Sequence, residues 1–118
     1  MNLIIVSGIS GVGKSIIVKR FIGENSEKYE LARSVTIRKA RTENEYYTFV
    51  SREEGTFLET NLYQGSKKLY GTRRREVERI VAMDRIPVLE IDVNGKRQIE
   101  SSADQNYFSP ISIFITVP

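Results

Sequence analysis

The sequence predicts an α/β protein, a parallel sheet flanked by helices. Three observations carry that prediction. Continuous apolar runs at 3–6 (LIIV), 86–92 (IPVLEID) and 111–117 (ISIFITV) read as buried strands. Stretches at 14–22 and 73–83 instead repeat their apolar residues at helical spacing. Finally, the junction of the first strand with the first helix carries the glycine-rich octapeptide GISGVGKS, residues 8–15.

The elements follow in order. Leu3 to Val6 is an aliphatic run closed by Ser7-Gly8, hence a strand. From Lys14 to Ile22 a helix buries Ile17, Val18, Phe21 and Ile22, with Gly23 as its stop. Residues 29–38 (YELARSVTIR) alternate, with Tyr29, Leu31, Val35 and Ile37 on one side and Ser34, Thr36 and Arg38 on the other. That polar face either lines a ligand site or meets solvent. Residues 39–69 are polar and rich in Tyr, Glu and Thr, with strand-like pieces YYTFV and TFLE, and read as a small β-rich excursion. After Gly71 a helix over 73–83 buries Val77, Ile80 and Val81. The strand IPVLEID, a short helix opened by NGKRQIESS, the loop YFSP and the strand ISIFITV complete the chain. The 118 residues make one domain, with 1–38 and 70–118 as its core and 39–69 inserted.

Composition narrows the function. With 40% apolar and 28% charged residues the chain is an ordinary globular one. It has no Cys and no His, which excludes disulfides, thiolate metal sites and the commonest metal ligand. No apolar stretch reaches spanning length and MNLIIVSG is too short for a signal peptide, so no membrane partner and a cytoplasmic setting are expected. The net charge of +3 is concentrated in IRKAR, KK and TRRREVER, clusters suited to phosphate-bearing ligands or to a solvated basic face.

Gly8, Gly13, Lys14 and Ser15 fit G-x-x-x-x-G-K-[ST] between a predicted strand and a predicted helix, the context a phosphate loop requires. Gly8, Ile9, Ser10, Gly11, Val12 and Gly13 would turn backbone N–H groups toward a nucleotide's phosphates, at the positive end of the helix. Lys14 would reach the outer phosphates and the Ser15 hydroxyl would hold Mg²⁺. Glu90 and Asp92, at i and i+2 of a strand, project to one side and offer the second acidic contact such sites use. DVNG at 92–95 matches the D-x-x-G of small GTPases, but the chain has no N-K-x-D to read a base, and that match is discounted.

The chain resembles guanylate kinase far more closely, through SGISGVGKS, SVTIRKAR, YYTFVSREE, FLE, LYGT, VLEIDVNGKRQI and SIFITVP in unbroken order. The resemblance implies a P-loop NTPase-type sheet with residues 39–69 as an inserted GMP-binding lobe, and transfer of the γ-phosphoryl group of ATP to GMP or dGMP with Mg²⁺ as cofactor. It implies that Arg38 and Arg41 grip the acceptor phosphate and, with Lys14, act catalytically. Ser34, Tyr47 (Tyr46 as the fallback), Glu59, Tyr70, Thr72 and Asp92 complete the implied GMP site, Glu59 reading guanine's ring N–H and amine. Glu90 falls where the family places an acid near Mg²⁺, acting partly through water. No nucleic-acid partner is implied.

The sequence also departs from the family pattern. Ile16 stands for the usual Thr, and Ile37 and Ala40 for Thr and Pro. The TENE loop is short, the helix between SREE and FLE is nearly absent, and TNLYQGSKK is longer. In the family, the strand matching SIFITVP is followed by an arginine-bearing lid, a helix and a last strand, whereas this chain stops at Pro118. Two readings stay open there: a piece of a longer kinase, or a natural short relative with weak or no catalysis. Either leaves a sheet edge uncovered for self-association. Two rival functions also stay open, a non-catalytic guanylate kinase-like module recognising GMP or a phosphorylated partner, and a kinase for another phosphorylated acceptor.

Overall fold

The computed structural model describes residues 2–8, 13–39, 57–63, 68–101 and 108–115, with side chains at all of these except 36–39, 61–63 and 68–69. Its elements are β1 (Asn2–Gly8), α1 (Lys14–Glu24), β2 (Tyr29–Leu31), β3 (Val35–Lys39), β4 (Phe57–Tyr63), β5 (Lys68–Arg73), α2 (Arg74–Ala82), β6 (Ile86–Glu90), α3 (Val93–Glu100) and β7 (Ser109–Ile115). Four strands form a parallel sheet of order β2-β6-β1-β7, and three form an antiparallel sheet of order β3-β5-β4.

β1 is central because its whole run is apolar and each face meets a different layer. Leu3 and Ile5 point into a core built with Leu89, Val77 and Ile80 of α2, and Ile99 of α3. Ile4 and Val6, one residue out of phase, pack instead with Val88 and with Val18 of α1. Helices thus cover both faces, as continuous apolar strands demand. The antiparallel sheet joins the first core through Leu58 of β4.

The alternating stretch 29–38 is two strands in two sheets rather than one. β2 pairs with β6, the N–H of Ala32 still reaches the carbonyl of Val88 at 2.8 Å, and β3 then pairs with β5. Leu31 and Val35 are an even number apart, so the period of two survives the break and hides it. Gly23 does not stop α1, which runs to Glu24. Asn25 ends it, its N–H bonding the carbonyl of Ile22 and its side-chain amide that of Phe21. Of the four apolar residues assigned to that helix's buried face, Val18 is buried, while Ile17 is 49% and Phe21 39% exposed. β5 carries no strand signal in the sequence, since KLYGTR has neither clean alternation nor an apolar run. YYTFV lies outside the described residues.

The last strand begins at Ser109, two residues before the apolar run. Among the described residues it pairs only with β1, and Ile111, Ile113 and Phe114 are about half exposed, so it is an edge rather than a strand buried on both faces.

Candidate functional site

The chain leaves β1 through α1 on one face of the sheet and leaves β6 through α3 on the other. Such a reversal opens a crevice beyond the carboxyl ends of the two adjacent strands, where open α/β sheets bind ligands. Gly8 at the end of β1, Gly13 to Ser15 at the start of α1 and Glu90 at the end of β6 lie at that end of the sheet. Gly13 caps α1 in the left-handed region (φ 82°), a conformation that favours glycine. Its carbonyl accepts the first helical bond, from the Ile17 N–H at 3.1 Å. Lys14 and Ser15 therefore open the helix.

The Ser15 hydroxyl donates to Oε1 of Glu90, the last residue of β6, at 2.5 Å. Residues 75 apart in sequence are thus joined. Both donors are hard oxygens, and Mg²⁺ is typically held by one or two such groups with phosphates and waters completing its shell. Among the described residues no three His, Cys, Asp or Glu gather as a metal cage. Ile9, Ser10, Gly11 and Val12 lie outside the described residues.

Asp92 is placed differently from the sequence expectation. β6 ends at Glu90, so the two carboxylates are not an i, i+2 pair on one strand. Asp92 is instead the N-cap of α3, its Oδ1 accepting the N–H of Gly95 at 2.8 Å. The D-x-x-G match is this cap.

Glu59 of β4 is only 6% exposed, with Oε1 accepting from the hydroxyl of Thr72, 1% exposed, at 2.8 Å. Their backbones face each other across the β4–β5 pair, beside an irregularity in register. Burial pushes the Glu59 carboxyl above its ordinary value and the charge of Asp92 adds to this, while the Thr72 bonds oppose it. Gly95 makes room for the carboxylate, since a Cβ there would stand 3.0 Å from Oε2. The structure thus gathers Glu59, Thr72 and Asp92 around the start of α3.

Three of the remaining candidates lie in or beside the antiparallel sheet. Ser34 is exposed in the connector before β3. Tyr70 lies in β5 opposite Thr36 and Asn61, half-buried. The backbone of Arg38 lies opposite Leu69. The side chain of Arg38, and all of Arg41, Tyr46 and Tyr47, lie outside the description. Part of the basic run TRRREVER is committed to structure. Arg79 bonds Glu76 at 2.9 Å and Glu30 at 2.7 Å, and Arg85 also reaches Glu30 at 2.8 Å. The guanidinium groups of Arg73 and Arg74 lie over the rings of Phe57 and Phe108.

The sequence gives Gly95 only as the end of the discounted D-x-x-G match and assigns Gln98 no role. Their spacing of three after the Asp92 cap puts both on one side of α3, but nothing local says which strand they meet. Gln98 meets Thr60. Its Oε1 accepts the Thr60 N–H at 3.0 Å and its Nε2 donates to the Thr60 carbonyl at 2.7 Å.

No helix among the described residues is long and apolar enough to cross a membrane. A family model described as guanylate kinase matches residues 1–118. The chain is 36% identical over 125 residues to a guanylate kinase of Sus scrofa, covering 98% of this chain and 60% of that protein. It is likewise 36% identical over 129 residues to one of Mycoplasmopsis pulmonis, covering 99% of this chain and 64% of that protein. Among solved structures, guanylate kinase from Anaplasma phagocytophilum superposes with a TM-score of 0.58 at 23% identity, over 95% of this chain and 58% of that one, a likeness of fold. The chain spans about three fifths of the length of the curated relatives it matches. A phosphate loop alone would leave many families open; a match running from the first residue to the last does not, and the chain belongs to the guanylate kinase family.

Proposed function

We propose that the chain carries the site for transfer of the γ-phosphoryl group of ATP to GMP or dGMP, giving ADP and the nucleoside diphosphate. The observation that carries the acceptor half is the buried Glu59–Thr72 pair beside Asp92. A carboxylate accepts from both the ring N–H and the amine of guanine, a donor pair adenine lacks, and in a dehydrated setting a mismatch leaves it unpaired. Thr72 and Asp92 are assigned to the same guanine subsite, and Ser34, Arg38, Arg41, Tyr47 and Tyr70 to the acceptor phosphate and its surroundings. The two guanidinium groups suit a phosphate because they offer paired donors. On this reading residues 39–69 form the GMP lobe of a single domain.

On the donor side, residues 8–15 hold the ATP phosphates, with Lys14 neutralising the outer ones. Ser15 and Glu90 would hold Mg²⁺, whose bound form neutralises charge on the phosphates. The acceptor phosphate oxygen forms the new P–O bond as the bond from the γ-phosphorus to the bridging oxygen of ADP breaks. That oxygen is already anionic, so no side chain need act as general base. The chain's residues contribute position and charge, Lys14 on one side of the transferring group and Arg38 and Arg41 on the other. A cytoplasmic setting suits a Cys-free chain, and the exposed β7 edge with Ile111, Ile113 and Phe114 is the surface proposed for self-association.

A coupled ADP-release assay with GMP, dGMP, AMP and UMP tests the reading. Turnover is expected with GMP and dGMP, and its absence above background would overturn the proposal for this chain.

A further inference from the structure

Among the described residues β4 pairs only with β5, in the order β3-β5-β4, and the backbone of Thr60 does not face water, since Thr60 is 5% exposed. A dehydrated backbone N–H and C=O each need a hydrogen-bond partner. The carboxamide of Gln98 supplies both, accepting the N–H at 3.0 Å and donating to the carbonyl at 2.7 Å. It thus ties α3 to the main chain of β4 by two hydrogen bonds. Thr60 directly follows Glu59, and the helix that carries Gln98 carries Gly95 one turn earlier, against Oε2 of Glu59. One face of α3 therefore sets both the depth of β4 and the space its carboxylate occupies.

We infer that Gln98 is a positioning residue for base selection, holding β4 so that the Glu59 carboxylate meets the guanine edge. This rests on the GMP reading above. Gln98 touches no part of the ligand in this role; it acts through the Thr60 backbone. Methionine at 98 keeps the length of the side chain and removes both hydrogen bonds, and glutamate keeps the acceptor for the Thr60 N–H while losing the donor.

The test is calorimetry of the full chain with GMP, AMP and MgATP, together with amide exchange at Thr60. In Gln98→Met, GMP affinity is expected to fall on the order of tenfold and the GMP-to-AMP ratio to fall with it, as two buried hydrogen bonds are lost. MgATP affinity should stay within about twofold, because the donor crevice is untouched, and exchange at the Thr60 N–H should accelerate. Gln98→Glu should fall between the two proteins in GMP affinity and keep Thr60 protected, and it carries the test if the methionine variant does not fold. An unchanged GMP-to-AMP ratio in a folded variant with a deprotected Thr60 overturns the inference. Glu59→Gln separates the two levels: if it leaves base preference unchanged the GMP reading itself fails, whereas if it lowers preference and Gln98→Met does not, only the positioning role fails.

Discussion

Thr72→Val isolates the contact on which the proposed acceptor site turns. Valine has nearly the same shape, opens no cavity and is at home in a strand, so the change removes the hydroxyl and little else. The lost bond is 2.8 Å long and runs to a carboxylate in a site where donor and acceptor are 1% and 6% exposed. A hydrogen bond to a charged group contributes about 1.5–3 kcal/mol. Burying a methyl in place of the hydroxyl returns up to about 0.8 kcal/mol. The net expected loss at pH 7 is about 1–2 kcal/mol. For 118 residues the unfolding entropy is about 0.25 kcal/mol per kelvin, so Tm should drop by about 4–8 °C.

The loss should also depend on pH in a defined direction. Burial raises the folded-state pKa of Glu59 above 4.5, so the fold holds this proton more tightly than the unfolded chain does. That contribution to stability is complete below 4.5 and is lost as pH rises through the folded value. The Thr72 bond opposes the rise, and without it the pKa climbs further. The advantage of the native protein over Thr72→Val is thus smallest below 4.5 and grows as pH rises. Urea unfolding at pH 4 and pH 7, with Glu59→Gln and the double variant closing a cycle, measures it. A neutral acceptor should roughly halve the cost of removing the hydroxyl. A loss below about 0.5 kcal/mol at pH 7, or one equal at both pH values, would refute the reasoning.

Other perturbations follow from the same structure. Lys14→Ala should weaken MgATP binding by at least about tenfold in calorimetry while leaving GMP affinity close to native, since it removes a charge-assisted phosphate contact. Gly95→Ala places a methyl 3.0 Å from the Glu59 carboxylate and 3.2 Å from Ile91, and should cost about 1 kcal/mol of stability and lower GMP affinity more than that for MgATP. Arg79→Ala removes the cation that, by its hydrogen bonds above all, holds Glu30 and Glu76 below their ordinary value. The stability those two carboxylates confer is present above 4.5 and lost as pH falls through their lowered folded values, so the gap between native and variant should close in acid, and also in high salt, when urea midpoints are compared.

What the sequence showed plainly was whatever a local pattern encodes. The two-faced burial of β1 follows from LIIV, α2 from the spacing of Val77 and Ile80, and the phosphate-loop turn from Gly13 and Lys14 at a strand–helix junction. That Ser15 and Glu90 would come near each other was legible too, because one opens the helix that follows β1 and the other ends β6, and a parallel sheet brings those strands side by side. The function of Asp92 as a cap was not, since an acid two residues after another reads as a strand pair until the strand's end is known. The break between β2 and β3 was hidden by a connector that preserves parity. Gln98 was invisible for a deeper reason. A helix residue that bonds the main chain of a strand 38 positions earlier leaves no trace in its own neighbourhood.

The β6–α3 unit ties the two halves of the proposed site together, and this leads to the most demanding test. Glu90, which meets Ser15, ends β6. The next residue, Ile91, is buried and its N–H bonds the carbonyl of Val6 at 3.1 Å. Asp92 then caps the helix whose Gly95 and Gln98 hold Glu59 and Thr60. Only four residues of continuous chain thus separate Glu90, the proposed donor-side acid, from the notch at Gly95 that receives the carboxylate proposed to read the base. A glycine inserted between Ile91 and Asp92 leaves Ser15, Glu90 and the contacts of α3 with β4 intact as local structures but shifts one against the other. Each nucleotide should then bind within about fivefold of its native affinity, while turnover, which needs the reacting atoms about 3–3.5 Å apart, should fall by about a hundredfold or more. Equal losses in binding and turnover, in a protein whose melting shows it is folded, would mean that the unit does not set the distance between the two phosphates.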